Sequence, residues 1–194
     1  MPVIKFGQEL NLPKGESKYL KLRNKGDFLV FRIAGTPVYE TDHWINREKV
    51  SCDKYNSLEN DAPCHYCDDY AEAVAADDKQ VMRELRPVTT FMYPVLDRTT
   101  GKAGIYQFTA KSLHYGIDGY AKMGVDVFAC DWRVDRHKQT VDEAGPEFYS
   151  LMRLSEGVLS KEEKAELKRA KEFELEGKQS ESVKPEDVPI PEEE

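Results

Sequence analysis

No run of roughly eighteen apolar residues occurs anywhere in the chain, so no stretch is long and apolar enough to span a bilayer as a helix. The opening residues, Met1–Gln8, lack the basic and apolar regions of a secretory signal. The expected compartment is therefore the cytoplasm. Cysteine is scarce, with only Cys52, Cys64, Cys67 and Cys130. In a reducing compartment such cysteines serve as metal ligands or buried thiols, not disulfides. No His-Glu-x-x-His pattern occurs. That absence argues against a metal hydrolase or nuclease, and the chain is expected not to be an enzyme.

Hydrophobic residues make up 40% of the 194 residues and charged residues 33%. That is enough apolar material for one core with appendages. The net charge of −8 argues at first against a polyanionic partner. Its distribution matters more than its sum. Residues 156–194 carry thirteen acids and seven bases, leaving residues 1–155 near neutrality at −2.

Residues 1–26, with Pro13, Gly15 and Gly26 as breakers, read as a loosely structured arm holding one short strand near Tyr19–Arg23. Phe28–Ile33 is rich in aromatic and β-branched residues and reads as a strand that ends at Ala34–Pro37. Alternation puts Leu29, Phe31 and Ile33 on one face and Phe28, Val30 and Arg32 on the other. Val88–Leu96 and Ile105–Thr109 read as a hairpin joined by the polar turn Asp97–Lys102. Val127–Val134 and Phe148–Leu154 read as further strands. Helices are expected at Asp68–Arg86, where Pro87 stops the run, at Ala110–Met123, and as a charged helix within 156–176. Residues 177–194, with six acids against Lys178 and Lys184, read as a disordered acidic tail.

These elements predict a mostly β fold with inserted helices. The expected architecture is a partly open OB-type barrel over 27–155, with a two-layer α+β sandwich as the competitor.

Residues 42–67 have little periodicity and almost nothing apolar to bury, and need a staple to be ordered. The spacing His43-x8-Cys52-x11-Cys64-x2-Cys67 supplies one. Two thiolates two residues apart can turn onto one ion, and four nitrogen or sulfur ligands satisfy tetrahedral zinc. His43 is preferred over His65, which sits inside the Cys64–Cys67 knuckle, and Trp44 is expected to shield the site. A closed ligand shell leaves no position for a reactive water, so the zinc is expected to be structural. Cys130, in an apolar strand, reads as a core thiol.

Aromatics of the hairpin, Tyr93, Tyr106 and Phe108, stand among Arg86, Arg98, Lys102 and Lys111. Arg32 lies on an apolar strand, where a charge must meet water or an anion. Aromatic platforms in a basic groove are the means of sequence-independent single-strand binding. Each ring taken alone is as well explained by core packing.

Taken together, the His and Cys spacing, the helix start at Asp68–Tyr70, the Tyr93–Phe108 hairpin with Lys111 after it, and the Phe128–Trp132 segment resemble one family. It is that of the zinc-containing single-stranded DNA-binding, or helix-destabilising, proteins of T-even-type tailed phages. The resemblance covers roughly residues 20–155. It implies zinc on His43, Cys52, Cys64 and Cys67, and Tyr93, Tyr106 and Lys111 along a DNA groove. It also implies a role in phage DNA replication, recombination and repair, with partner proteins of those processes contacting the acidic tail. The competing expectation is a zinc-stabilised transcription or interaction protein acting through its acidic C-terminus.

Overall fold

The computed structural model of the chain describes residues 19–56, 62–140, 143, 148–173 and 178–179. The expected arm before Tyr19 and the acidic tail beyond Gln179 lie outside the described residues.

The fold is mostly β, with several helices set around one mixed sheet. Its strands are β1 (Tyr19–Leu20), β2 (Phe28–Ile33), β3 (Val38–Ile45), β4 (Glu48–Ser51), β5 (Val88–Asp97), β6 (Lys102–Phe108), β7 (Asp131–Arg136), β8 (Tyr149–Arg153) and β9 (Lys178–Gln179). The main path runs β1-β6-β5-β2-β7-β8, and β3 pairs with β4, β5 and β9. Only β1 and β6 run parallel; the other pairs are antiparallel. Among the described residues β1 pairs only with β6 and β8 only with β7, so the sheet does not close into a barrel.

β5 organises this sheet. One edge carries β6; the other carries β3 along Val88–Met92 and then β2 along Val95–Asp97. Pro94, which has no N–H to donate, sits where that edge passes from β3 to β2. Its carbonyl accepts from Ala34 N at 2.8 Å, so the missing donor faces the break in the partner chain. Leu29, Phe31 and Ile33, which alternation along β2 sets on one face, are all buried. They join Phe91, Tyr93, Val95, Tyr106, Phe108, Trp132 and Val134 in the main core. Helix α4 (Lys111–Lys122), between β6 and β7, adds Leu113 and Ile117. It lies so close to β8 that a Cβ on Gly116 would meet Leu151 Cδ2 at 2.7 Å, so any larger residue there requires the Leu151 side chain to shift.

Three expectations need correction. The unpatterned stretch 42–67 contains the β3–β4 hairpin, a short helix α1 (Asp53–Asn56) and the start of α2 (His65–Ala75). The helix expected over Asp68–Arg86 is two, α2 and α3 (Lys79–Leu85). Asp77 takes φ 53°, and Asp78 N returns to Ala73 O at 2.9 Å, a Schellman ending that glycine usually makes. Asp78 then caps α3, accepting from Gln80 N and Val81 N. Lastly, the segment expected as tail contributes β9, two residues paired with Val38 and Tyr39.

The charged helix is α5 (Lys161–Lys171), opened by a capping box between Ser160 and Glu163. Ion pairs dock it on the sheet. Arg32 and Arg98 share the buried Asp131 carboxylate at 2.8 and 3.2 Å, and Arg98 continues to Glu163. Arg32 also donates to Gly157 O, and Ala103 N donates to Glu166. Ser160→Ala removes the cap and is expected to lower unfolding free energy by about 0.5–2 kcal/mol. Urea titration reads the loss; an unchanged midpoint would show that α5 stands on its ion pairs alone.

Candidate metal centre and surface grooves

β3 carries His43 on one face and Asp42 and Trp44 on the other, because strand side chains alternate. The turn at Asn46 and Arg47 (φ 51° and 70°) returns the chain antiparallel as β4, placing Cys52 beside β3. Cys52 N donates to Thr41 O at 2.9 Å; Asn56 Nδ2 donates to the same carbonyl at 2.7 Å, and Asn56 Oδ1 accepts from Thr41 N at 2.8 Å. Cys64 sits at the N-cap of α2, and its carbonyl accepts from Cys67 N at 2.9 Å, which folds both thiols the same way.

His43, Cys52, Cys64 and Cys67 thus converge, all buried, with every ligand atom within 4.8 Å of the others. Cys52 Sγ lies 3.8 Å from Cys64 Sγ and 3.4 Å from Cys67 Sγ. His43 Nε2 lies 3.6 and 3.5 Å from the sulfurs of Cys64 and Cys67. A tetrahedron with metal–sulfur bonds of about 2.3 Å and metal–nitrogen bonds of about 2.0 Å has edges of roughly 3.5–3.8 Å. The cluster has the dimensions to hold one metal ion. His43 Nδ1 meets Leu85 O at 2.7 Å. Nδ1 carries the proton and donates, which leaves the Nε2 lone pair aimed at the sulfurs.

Burial, reinforced by the Cys52 and Cys64 thiols, pushes the Cys67 thiol up to about 12. Burial likewise raises Cys52. Three thiols this close do not all ionise without a cation between them. His65 is exposed, its ring tilted against Tyr66 with centroids 3.8 Å apart, outside the cluster. The expected shield, Trp44, does not cover the site: alternation turns it to the far face, 53% exposed. Tyr66 does so instead, 5.4 Å from the His43 ring. Cys130 is a buried core thiol.

The hairpin residues expected along a DNA groove are dispersed. The rings of Tyr93, Tyr106 and Phe108 are core: Tyr106 is 1% exposed, with Phe31 at 5.3 Å and Phe108 at 4.9 Å. No base can stack on a ring enclosed on both faces. Arg32 meets an anion, but a protein one, Asp131. Arg98 is held by Asp131 and Glu163, and Lys102, exposed, lies at that same α5-covered end of the hairpin. Arg86 and Lys111 are exposed, and Lys111 lines a cleft beside α4.

Two concavities flank the metal subdomain. One is a groove of about 430 Å³ along the β5–β6 hairpin, where Val88, Thr90, Gln107 and Thr109 lie and which the largely buried Tyr106 and Phe108 also line. Trp44 bounds it on the metal side, and Lys21, Arg23, Arg136 and Tyr149 on the other. Arg136 Nη1 donates to Leu22 O and Arg23 O at 2.7 and 2.6 Å, and its guanidinium lies 5.0 Å over the Phe148 ring. Lys21 and Arg23 are exposed and make no ion pair among the described residues. On the Trp44 face of β3, Glu40 and Asp42 are both paired with Lys49, at 2.6 and 3.3 Å. The groove residues Trp44, Lys21 and Arg23 were missed from sequence, although alternation next to the ligand His43 marks Trp44 as outward-facing. The second concavity, the cleft beside α4, has about 350 Å³ on the opposite face of β5.

A scan of protein-family models finds no match to this chain, and a search of curated proteins finds none. Among the described residues no helix is long and apolar enough to cross a membrane.

Proposed function

We propose that the protein binds single-stranded DNA, without preference for sequence, in the groove across β5 and β6, and that a structural zinc ion on His43, Cys52, Cys64 and Cys67 holds one wall of that groove. The observation that carries this reading is Trp44, a half-exposed indole facing exposed Lys21 and Arg23 across an uncharged strand surface. An aromatic face takes a base of any kind, and flanking cations neutralise phosphates.

The topology supports an OB-type reading. β2 with β3 serves as a broken first strand, β5 and β6 as the second and third, α4 as the helix before the fourth strand β7, and β8 as the fifth. Oligonucleotides bind such folds across the second and third strands, between the loops after the first and fourth. Here those loops are the metal subdomain and the β7–β8 connection. Zinc suits three thiolates and an imidazole better than harder cations do. Bound there, it would supply a divalent charge that neutralises the thiolates, and with four protein ligands it would keep no open position. Trapping melted strands this way serves replication, recombination and repair. The acidic end, at −4 over residues 177–194, would contact the proteins of those processes.

Trp44→Ala is expected to weaken oligo-dT binding by about 1–3 kcal/mol, the value of one stacked base. Arg23→Ala is expected to weaken it equally on all sequences and to flatten the salt dependence by about one counterion. If both variants bound oligo-dT like the parent protein, the groove assignment would fall. Retained binding of a protein partner alone would then favour the interaction-protein reading.

A further inference from the structure

Strand alternation gives β5 two working faces. Val88 and Thr90 line the groove. Thr89 and Phe91 point the other way, into the cleft of about 350 Å³ between α1 and the first turn of α4. That volume is in the range of small-molecule sites. Its lining is unusually aromatic: Tyr39, Tyr55, Phe91, His114 and Tyr115, with Lys111 as the cation.

These rings differ in what holds them. Phe91 and His114 are buried and stacked, 4.5 Å apart at 16°. His114 Nδ1 meets Tyr93 OH at 2.7 Å, and burial lowers the His114 pKa. They form a fixed, neutral floor, with Tyr39 6.2 Å from Phe91. Tyr55 and Tyr115 stand at the mouth, 47% and 61% exposed. Apolar packing does not account for two such rings facing one concavity from separate helices. The Thr41 and Thr89 hydroxyls, 3.0 Å apart, lie on the wall. If one donates to the other, a hydroxyl hydrogen and several lone pairs remain for a ligand.

We propose that this cleft is a nucleotide site, distinct from the groove: it takes one aromatic base against Tyr115 and Tyr55, with the attached phosphate on Lys111. The chemistry is that of a flat π surface joined to an anion, which fits aromatic walls and a single exposed cation. Two sources share that chemistry, a free mononucleotide and the terminal nucleotide of a bound strand. The proposal does not depend on the groove reading, because Trp44 lies on the other face of β3.

Full-length, metal-loaded protein is titrated with thymidine 5′-monophosphate and, separately, with 5′-phosphorylated oligo-dT. The parent is compared with Tyr115→Ala, Lys111→Ala and Trp44→Ala, all at exposed positions, with metal content and circular dichroism as fold controls. A free-nucleotide site gives saturable binding of the monophosphate that falls about fivefold or more in Tyr115→Ala and Lys111→Ala and is unchanged in Trp44→Ala. A strand-end site gives no monophosphate binding, but the same fivefold losses on phosphorylated oligo-dT. If neither ligand responds to Tyr115→Ala or Lys111→Ala, the cleft is not a nucleotide site, whatever Trp44→Ala does to the oligonucleotide. Loss in Trp44→Ala alone overturns the cleft and leaves the groove standing.

Discussion

Cys64→Ser is expected to abolish stoichiometric metal binding and to unfold the metal subdomain while the main core survives. The expectation follows from what the subdomain has to bury. Its buried cluster is Cys52, Cys64 and Cys67 with Tyr66 packed against them, and its helix α1 buries nothing. So little apolar area cannot offset the entropy of ordering the segment. A structural zinc ion bound there would contribute about 10–16 kcal/mol of apparent binding free energy, and that binding would be folding free energy. A serine hydroxyl does not ionise near neutrality and is a poor ligand, so the shell opens. Elemental analysis should fall from about one zinc per chain, the content of one tetrahedral site, to a small fraction of that. Amide exchange should rise across β4, α1 and α2 and stay slow in β5 and β7. Slow exchange across α2 in a metal-free variant would mean the cysteines are simple core thiols. The pH dependence has a definite sign. Cys67 and Cys52 are raised and must lose protons to bind, so metal affinity falls as pH falls.

The second large effect is expected from Tyr106→Ala, which should cost about 3–5 kcal/mol of stability, as large aromatic truncations in cores do. The ring is 1% exposed, between Phe31 and Phe108. Its hydroxyl is buried without a hydrogen-bond partner among the described residues, so truncation forfeits packing and no hydrogen bond. The denaturation midpoint should drop sharply, and any loss of DNA affinity should follow the unfolded fraction. A variant of parental stability with weakened DNA binding would instead return Tyr106 to a groove.

That contrast shows what the sequence carries and where it falls short. The β5–β6 hairpin was legible because alternation, β-branched content and a turn with Gly101 all agree. The convergence of His43, Cys52, Cys64 and Cys67 was legible because two cysteines two residues apart can face one point only with a limited set of partners. Alternation tells which side chains share a face, as with Tyr106 and Phe108, but not which face is the core. Basic neighbours along the chain, Arg98 and Lys102, point to the far end of the sheet, where α5 covers it. The β3–β4 hairpin was hidden because Asn46 and Arg47 take positive φ where glycine normally signals such a turn. The break between α2 and α3 was hidden for the same reason at Asp77. Arg32, expected to meet water or an anion and placed along the DNA groove, is paired instead with Asp131, a partner set by the pairing of β2 with β7, ninety-nine residues away in the chain.

The chain has two tryptophans: Trp132 is fully buried, with Nε1 donating to Val127 O, and Trp44 is half exposed at the groove. Tryptophan emission during titration with oligo-dT therefore reports on the groove itself. The expected result is saturable quenching that is reversed by added salt, weaker with duplex DNA of the same length, and absent in Trp44→Phe. Oligo-dT binding that leaves the emission of Trp44 unchanged, or no binding at low salt by the metal-loaded protein, would contradict it.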